Sequence, residues 1–135
     1  AHIITLPSTS SSNSNKELFY LIKKNHKKDK KVKFLIFTGG SRDPHVDNVA
    51  DIDWCKKNFR GDEYLFAERN TALQDFCLIM QCKYNIISHV SSFGWWAAFL
   101  NNNCEKQVVA PYHYHSNLKN YTHREGFFPT DWILV

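Results

Sequence analysis

The chain has 135 residues, 43% of them hydrophobic and 15% aromatic, with a formal net charge of +4. That is enough apolar material for a real core, and the length fits one domain or half of a two-domain enzyme. No apolar run approaches the roughly 20 residues of a membrane span and no signal-peptide pattern opens the chain, so a membrane anchor is expected only outside it.

In chain order, "HIITLP" predicts a short opening strand, followed by the polar loop "STSSSNSN" at 8–15. "KELFYLIKKN" sets Leu18, Tyr20, Leu21 and Ile22 at helical spacing. "VKFLIFTGG" is a nearly continuous apolar run stopped by two glycines, which is how a strand covered on both faces reads. A turn-rich loop, "SRDPHVDNVAD", leads to a short helix in "DIDWCKKNF" and a short strand in "EYLFAE". "NTALQDFCLIMQC" predicts a helix, with Thr71 and Gln74 spaced as a capping box. "YNIISHV" predicts a strand, "SFGWWAAFLNN" a helix and "KQVVAPY" a strand ending at Pro111, before a polar loop and a closing "FFPTDWILV". Strand and helix alternating at short intervals mean βαβ units. The expected fold class is therefore α/β: a single doubly wound, Rossmann-like parallel sheet with helices on both faces.

Ligands of such sheets bind at the carboxyl ends of strands. Three segments fall there: Thr38 to Asp43, Glu68 to Asp75, and Ser91 to Gly94. Ser91 or Ser92 can cap the helix that follows, and on the residues alone that is the favoured reading. The alternative is an anion site, because a helix start offers free N–H groups and partial positive charge, a serine adds a donor, and Gly94 lets a diphosphate approach. Trp95 and Trp96 read as packing residues. Asp75 either compensates its helix dipole or accepts two N–H bonds from a guanine edge, and spacing does not choose between these.

Other motifs carry less. The basic run "KKNHKKDKKVK" reads as a solvated helix end and loop, so no nucleic-acid partner is expected. Asp51 and Asp53 form a D-x-D pair at a helix start, where acids are common. His113 and His115 have no third ligand near in sequence. No metal is assigned to either pair. Cys55, Cys77, Cys82 and Cys104 lack zinc-site spacing. Buried thiols are favoured for Cys77, Cys82 or both, and one disulfide stays open in an oxidising compartment. Asn120-Tyr121-Thr122 is an N-glycosylation triplet in a polar loop.

Taken together, "DFCLIMQCKYNIISHVSSFGWWAAFLN", "KQVVAP" and "FFPTDW" resemble the C-terminal motif block of the α-1,2-fucosyltransferases, glycosyltransferase family 11. "FLIFTGG" and "DIDWCKKNF" look like the family's upstream strand and Trp-Cys helix. The resemblance covers about residues 33 to 133. It implies transfer of fucose from GDP-fucose to the 2-hydroxyl of a galactose-terminated glycan, with inversion and without a metal. It also implies a GT-B architecture in which this chain is the donor-binding half, and a Golgi type II membrane protein with a lumenal catalytic part. By resemblance, Asp75 faces guanine, and Ser91, Ser92 and Phe93 form the turn that holds the β-phosphate. The register between the two serines stays open.

One departure stands beside these matches. The family's H-x-R-R-x-D motif would fall on "HIITLP". His2 matches, but Ile4 and Thr5 stand at the arginines and Pro7 at the acid. The catalytic residues are therefore left unassigned. Three accounts fit: a piece of a larger enzyme, an incompletely read gene, or a non-catalytic relative that still binds nucleotide or a protein partner.

Overall fold

A computed structural model describes residues 2–6, 33–38, 49–87, 91–110 and 126–134. Among the described residues six strands form one parallel sheet: β1 (His2–Leu6), β2 (Phe34–Thr38), β3 (Tyr64–Phe66), β4 (Tyr84–Ile86), β5 (Gln107–Ala110) and β6 (Ile133–Leu134). Among the described residues three helices connect them: α1 (Val49–Asn58), α2 (Ala72–Met80) and α3 (Ser92–Leu100). The segments predicted at 7–32, including the helix over "KELFYLIKKN", lie outside the described residues. So do the loop from 39 to 48, the strand end at 88–90, and the loop holding His113, His115 and Asn120.

The strand order is β3-β2-β1-β4-β5-β6. The chain runs outward from β1 to β3, then crosses back and builds β4 to β6 on the other side of β1. Right-handed crossovers put helices that travel in opposite directions on opposite faces. The packing places α1 on one face of the sheet and α2 and α3 on the other. Phe34, Ile36, Tyr64 and Ile86 bury against Cys55 of α1. Leu35 and Phe37, the alternate residues of β2, pack with Ile79 of α2 and Ala97 of α3. Ile87, Val108 and Ala110 pack with Ala98 of α3, Phe128 and Trp132. Ala97 and Ala98 are fully buried, so α3 lies close on the sheet through small side chains.

Two buried asparagines tie the helix ends to β4. Asn101 Nδ2 donates to the Cys82 carbonyl at 2.6 Å and to Asn85 Oδ1 at 2.8 Å, and Asn85 Nδ2 donates to the Ile79 carbonyl at 2.9 Å. Lys106 Nζ closes the end of α3 by donating to the carbonyls of Ala98, Phe99 and Asn101.

The adjacent tryptophans divide their tasks. Neighbours on a helix point about 100° apart. Trp95 packs on Phe99, Phe127 and Trp132, with ring centroids 5.1, 5.9 and 5.4 Å away. Trp96 stays 52% exposed and touches Trp95 and Phe99 edge-on. The packing expectation therefore describes Trp95 better than Trp96.

Candidate functional site

The order of the chain reverses beside β1, and in a sheet of this kind that switch point opens a crevice between the carboxyl ends of β1 and β4. In open α/β sheets that crevice is where ligands bind. Helix α3 is the next described element after β4, and its start lies on the carboxyl side of that strand.

Ser91, not Ser92, is the cap of α3. Its backbone is extended, with φ −95° and ψ 96°, and its Oγ accepts the Gly94 N–H at 3.1 Å. The Ser91 carbonyl accepts the Trp95 N–H at 3.0 Å. Its hydroxyl hydrogen can still donate, since accepting uses only an oxygen lone pair. Ser92 and Phe93 occupy the first two helical positions, where N–H groups have no partner within a helix. Both residues are exposed, and neither N–H finds an acceptor among the described residues. No acidic residue stands in the first turn of α3. This helix start is an uncompensated cluster of donors with a second hydroxyl, Ser92, beside it.

Asp75 lies in the first turn of α2, a helix whose start is closed by its own side chains. Thr71 Oγ1 accepts the Gln74 N–H at 3.3 Å and Gln74 Oε1 accepts the Thr71 N–H at 2.7 Å, completing the predicted capping box. The Asp75 carboxylate, partly buried, accepts from Asn70 Nδ2 at 2.9 Å. The chain reaches Asn70 through Arg69, whose φ of 62° lies in the left-handed region that side-chain-bearing residues seldom adopt. Glu68 on the same loop is held in an exposed ion pair with Lys56 at 2.7 Å.

The two helix starts meet. Phe76, next to Asp75, contacts Phe93 edge-to-face with ring centroids 5.2 Å apart. One edge of the molecule therefore carries a carboxylate beside one helix and a donor-rich turn beside the next, joined by an aromatic pair. Asp75, Ser91, Ser92 and Phe93 all belong to this edge. Sequence reasoning put Asn70 inside the Glu68 to Asp75 segment without singling it out, and its local signal is an amide residue directly before the Thr71 cap.

The positions compared with the H-x-R-R-x-D motif lie on β1, the central strand. Ile4 pairs in register with Ile86 of β4 and Ile36 of β2, and Thr5 with Phe37. The missing arginines would thus stand on the strand that borders the crevice.

Asp53 is exposed within α1. Among the described residues no three His, Cys, Asp or Glu side chains converge on a metal-sized site. All four cysteines are free, with Cys55 and Cys82 buried and Cys77 and Cys104 exposed. Among the described residues no helix is long and apolar enough to cross a membrane.

Comparison with known proteins agrees with the resemblance. The family model of Glycosyl transferase family 11 matches residues 21–135. An alpha-1,2-colitosyltransferase of Escherichia coli is 42% identical over 66 residues, covering 45% of this chain and 22% of that protein. The O-antigen biosynthesis glycosyltransferase WbnK of Escherichia coli is 32% identical over 65 residues, covering 45% and 21%. The chain thus matches about a fifth of the length of these relatives. No solved structure matches significantly.

Proposed function

The chain belongs to glycosyltransferase family 11, and from that premise we propose that it is the donor-binding part of an α-1,2-fucosyltransferase. In this reading the sheet is the doubly wound, donor-binding half of a GT-B enzyme, and GDP-fucose lies along its carboxyl edge. Asp75 accepts the guanine N1–H and N2–H. The Ser91 hydroxyl and the N–H groups of Ser92 and Phe93 bind the β-phosphate. The observation that carries the reading is the start of α3, which brings unpaired donors, and no acid in its first turn, to the crevice between β1 and β4.

The chemistry follows from that placement. The 2-hydroxyl of a galactose-terminated acceptor attacks the anomeric carbon from the side opposite GDP. The new C–O bond forms as the bond to the β-phosphate oxygen breaks, so the configuration inverts. The attacking hydroxyl releases its proton, and the electron pair of the broken bond stays on GDP. Negative charge grows on the β-phosphate in the transition state. Fixed N–H donors aimed at that oxygen stabilise this charge more than the ground state, which is how they accelerate the step. In this reading those donors act without a metal. In the same proposal the other half of the GT-B enzyme binds the acceptor glycan, and the setting is the Golgi lumen.

Titration of the chain with GDP and UDP tests the reading. GDP should bind more tightly, and Asp75→Ala should weaken GDP more than UDP. A folded chain that ignores GDP would remove the donor-site assignment. Equal losses for both nucleotides would remove Asp75 from base reading alone. A second reading changes only the sugar. The colitosyl relative at 42% identity favours colitose in place of fucose with the α-1,2 linkage kept. Side-by-side transfer from the two nucleotide sugars by a longer protein carrying this chain separates them. Binding of GDP with no transfer of either sugar would favour the non-catalytic account.

A further inference from the structure

The contact between Asn70 and Asp75 has no evident task in holding the fold. The capping box already closes the start of α2, and Asn70 is exposed. An exposed side-chain hydrogen bond contributes little net stability. Yet the loop is shaped to make it: Arg69 takes a left-handed backbone, φ 62°, immediately before Asn70. A locally costly conformation that holds one polar group on another is the kind of outlier that points to function.

Counting donors and acceptors shows what the pair offers. The Asn70 carboxamide has two N–H donors. One goes to Asp75 Oδ1 at 2.9 Å, and the other has no acceptor among the described residues. The nitrogen must face Asp75, because a carboxylate can only accept. Asp75 Oδ2 and the remaining lone pair of Oδ1 stay available. The edge of the pair therefore reads donor, acceptor, acceptor. The corresponding edge of guanine reads acceptor at O6, donor at N1, donor at N2, which is its complement. Uracil places a second carbonyl, O2, where guanine has its amine, and that oxygen would face the carboxylate. Adenine presents a donor and then an acceptor, the reverse order.

We infer that Asn70 is a specificity residue for the donor base: it orients the Asp75 carboxylate and donates its second N–H to guanine O6. The inference rests on the GDP-site reading above and adds a residue to it. Asn70 touches no reacting atom. Its effect falls on binding and base choice.

The test is calorimetric titration of the full chain with GDP, UDP and 6-thio-GDP, in which sulfur, a weaker acceptor, replaces O6. Asn70→Ala should lose about tenfold in GDP affinity, the usual scale for one hydrogen bond to a buried ligand edge. UDP affinity should change little. Wild type should bind 6-thio-GDP several-fold more weakly than GDP, and Asn70→Ala should bind the two alike. A structural role would lower all three ligands together and leave the sulfur penalty in place, and that result overturns the inference. Thermal unfolding of the variant checks that it folds. Should Asn70→Ala unfold, Asn70→Ser keeps a short polar side chain, and the same loss of the sulfur penalty is expected from it. Specific loss of GDP in Asp75→Ala, with no loss in either Asn70 variant, keeps the GDP site and discards Asn70. Absence of GDP binding in the folded wild type discards both.

Discussion

Helices α2 and α3 have the same length, lie on the same face of the sheet and both start at its carboxyl edge, yet their starts are opposite in character. The start of α2 is self-contained. Thr71 and Gln74 satisfy each other's backbone donors, and Asp75 offsets the dipole. The start of α3 has one cap, Ser91, one donor met at Gly94, and no acid. A fold needing only two stable helices would gain by closing both in the same way. The open one is the helix that follows β4, the strand beside β1. The difference therefore separates a start finished by its own side chains from one whose donors stay open, as the proposed diphosphate site requires.

That contrast can be removed at its base. Both helices are anchored at their far ends by the same buried amides, Asn85 and Asn101. Asn101→Ala would strand the Cys82 carbonyl and Asn85 Oδ1 without donors. A loss of about 3 kcal/mol in urea unfolding is expected, at the upper end of single-site effects. A loss below about 1 kcal/mol would mean that the two helices are held by apolar packing alone and that the amides are incidental.

Adding charge tests the contrast in function. Ser92→Asp puts a carboxylate at the first position of α3, and Ala72→Asp does the same in α2. Each should leave stability unchanged or raise it by about 0.5 kcal/mol, because acids suit helix starts. Only the first should repel a diphosphate, weakening GDP by about tenfold or more. Equal weakening by the two variants would place the phosphate elsewhere on the edge. Removing the caps is the milder version. Thr71→Ala and Ser91→Ala should each lose about 1 kcal/mol of stability. Ser91→Ala should also weaken GDP several-fold, while Thr71→Ala should leave it unmoved.

How much of this contrast is legible in the sequence depends on how local each part is. The capping box is written in four consecutive residues, so Thr71 and Gln74 can be read directly. The alternation of apolar runs and amphipathic stretches also suffices for βαβ units and a parallel sheet. The choice between Ser91 and Ser92 cannot be read, because both hydroxyls suit a cap and only the backbone angle after β4 decides. The two-residue β6 is hidden in "WILV" because it exists only by pairing with β5. The amide pair joins residues 16 apart, beyond any local pattern. Asn70 meets Asp75 only because Arg69 bends the chain with a positive φ, and neither helical nor strand periodicity anticipates that. What stays hidden in the sequence is thus the set of polar contacts that tertiary structure brings together.

The contrast continues at the far ends of the helices. The last carbonyls of α3 are met by an ammonium, Lys106, and a carbonyl of the last turn of α2 is met by a thiol, with Cys82 Sγ donating to Leu78 at 3.2 Å. Burial pushes the Cys82 thiol up to about 11, well above the roughly 8.5 of a cysteine in an unfolded chain. As pH rises, the unfolded chain therefore loses this proton first. The contribution is complete below about pH 8.5 and is lost progressively as pH rises towards 11. Thermal unfolding of wild type and Cys82→Ala across pH 7 to 11 should show a steeper alkaline fall for wild type, with the two curves converging as the thiol's contribution disappears. Parallel curves would mean that the thiol proton contributes nothing to closing α2. The smallest of these effects then falls on the helix whose start needs nothing from outside. It should leave the proposed GDP binding at the start of α3 unchanged at neutral pH, where the Cys82 proton is in place in both states.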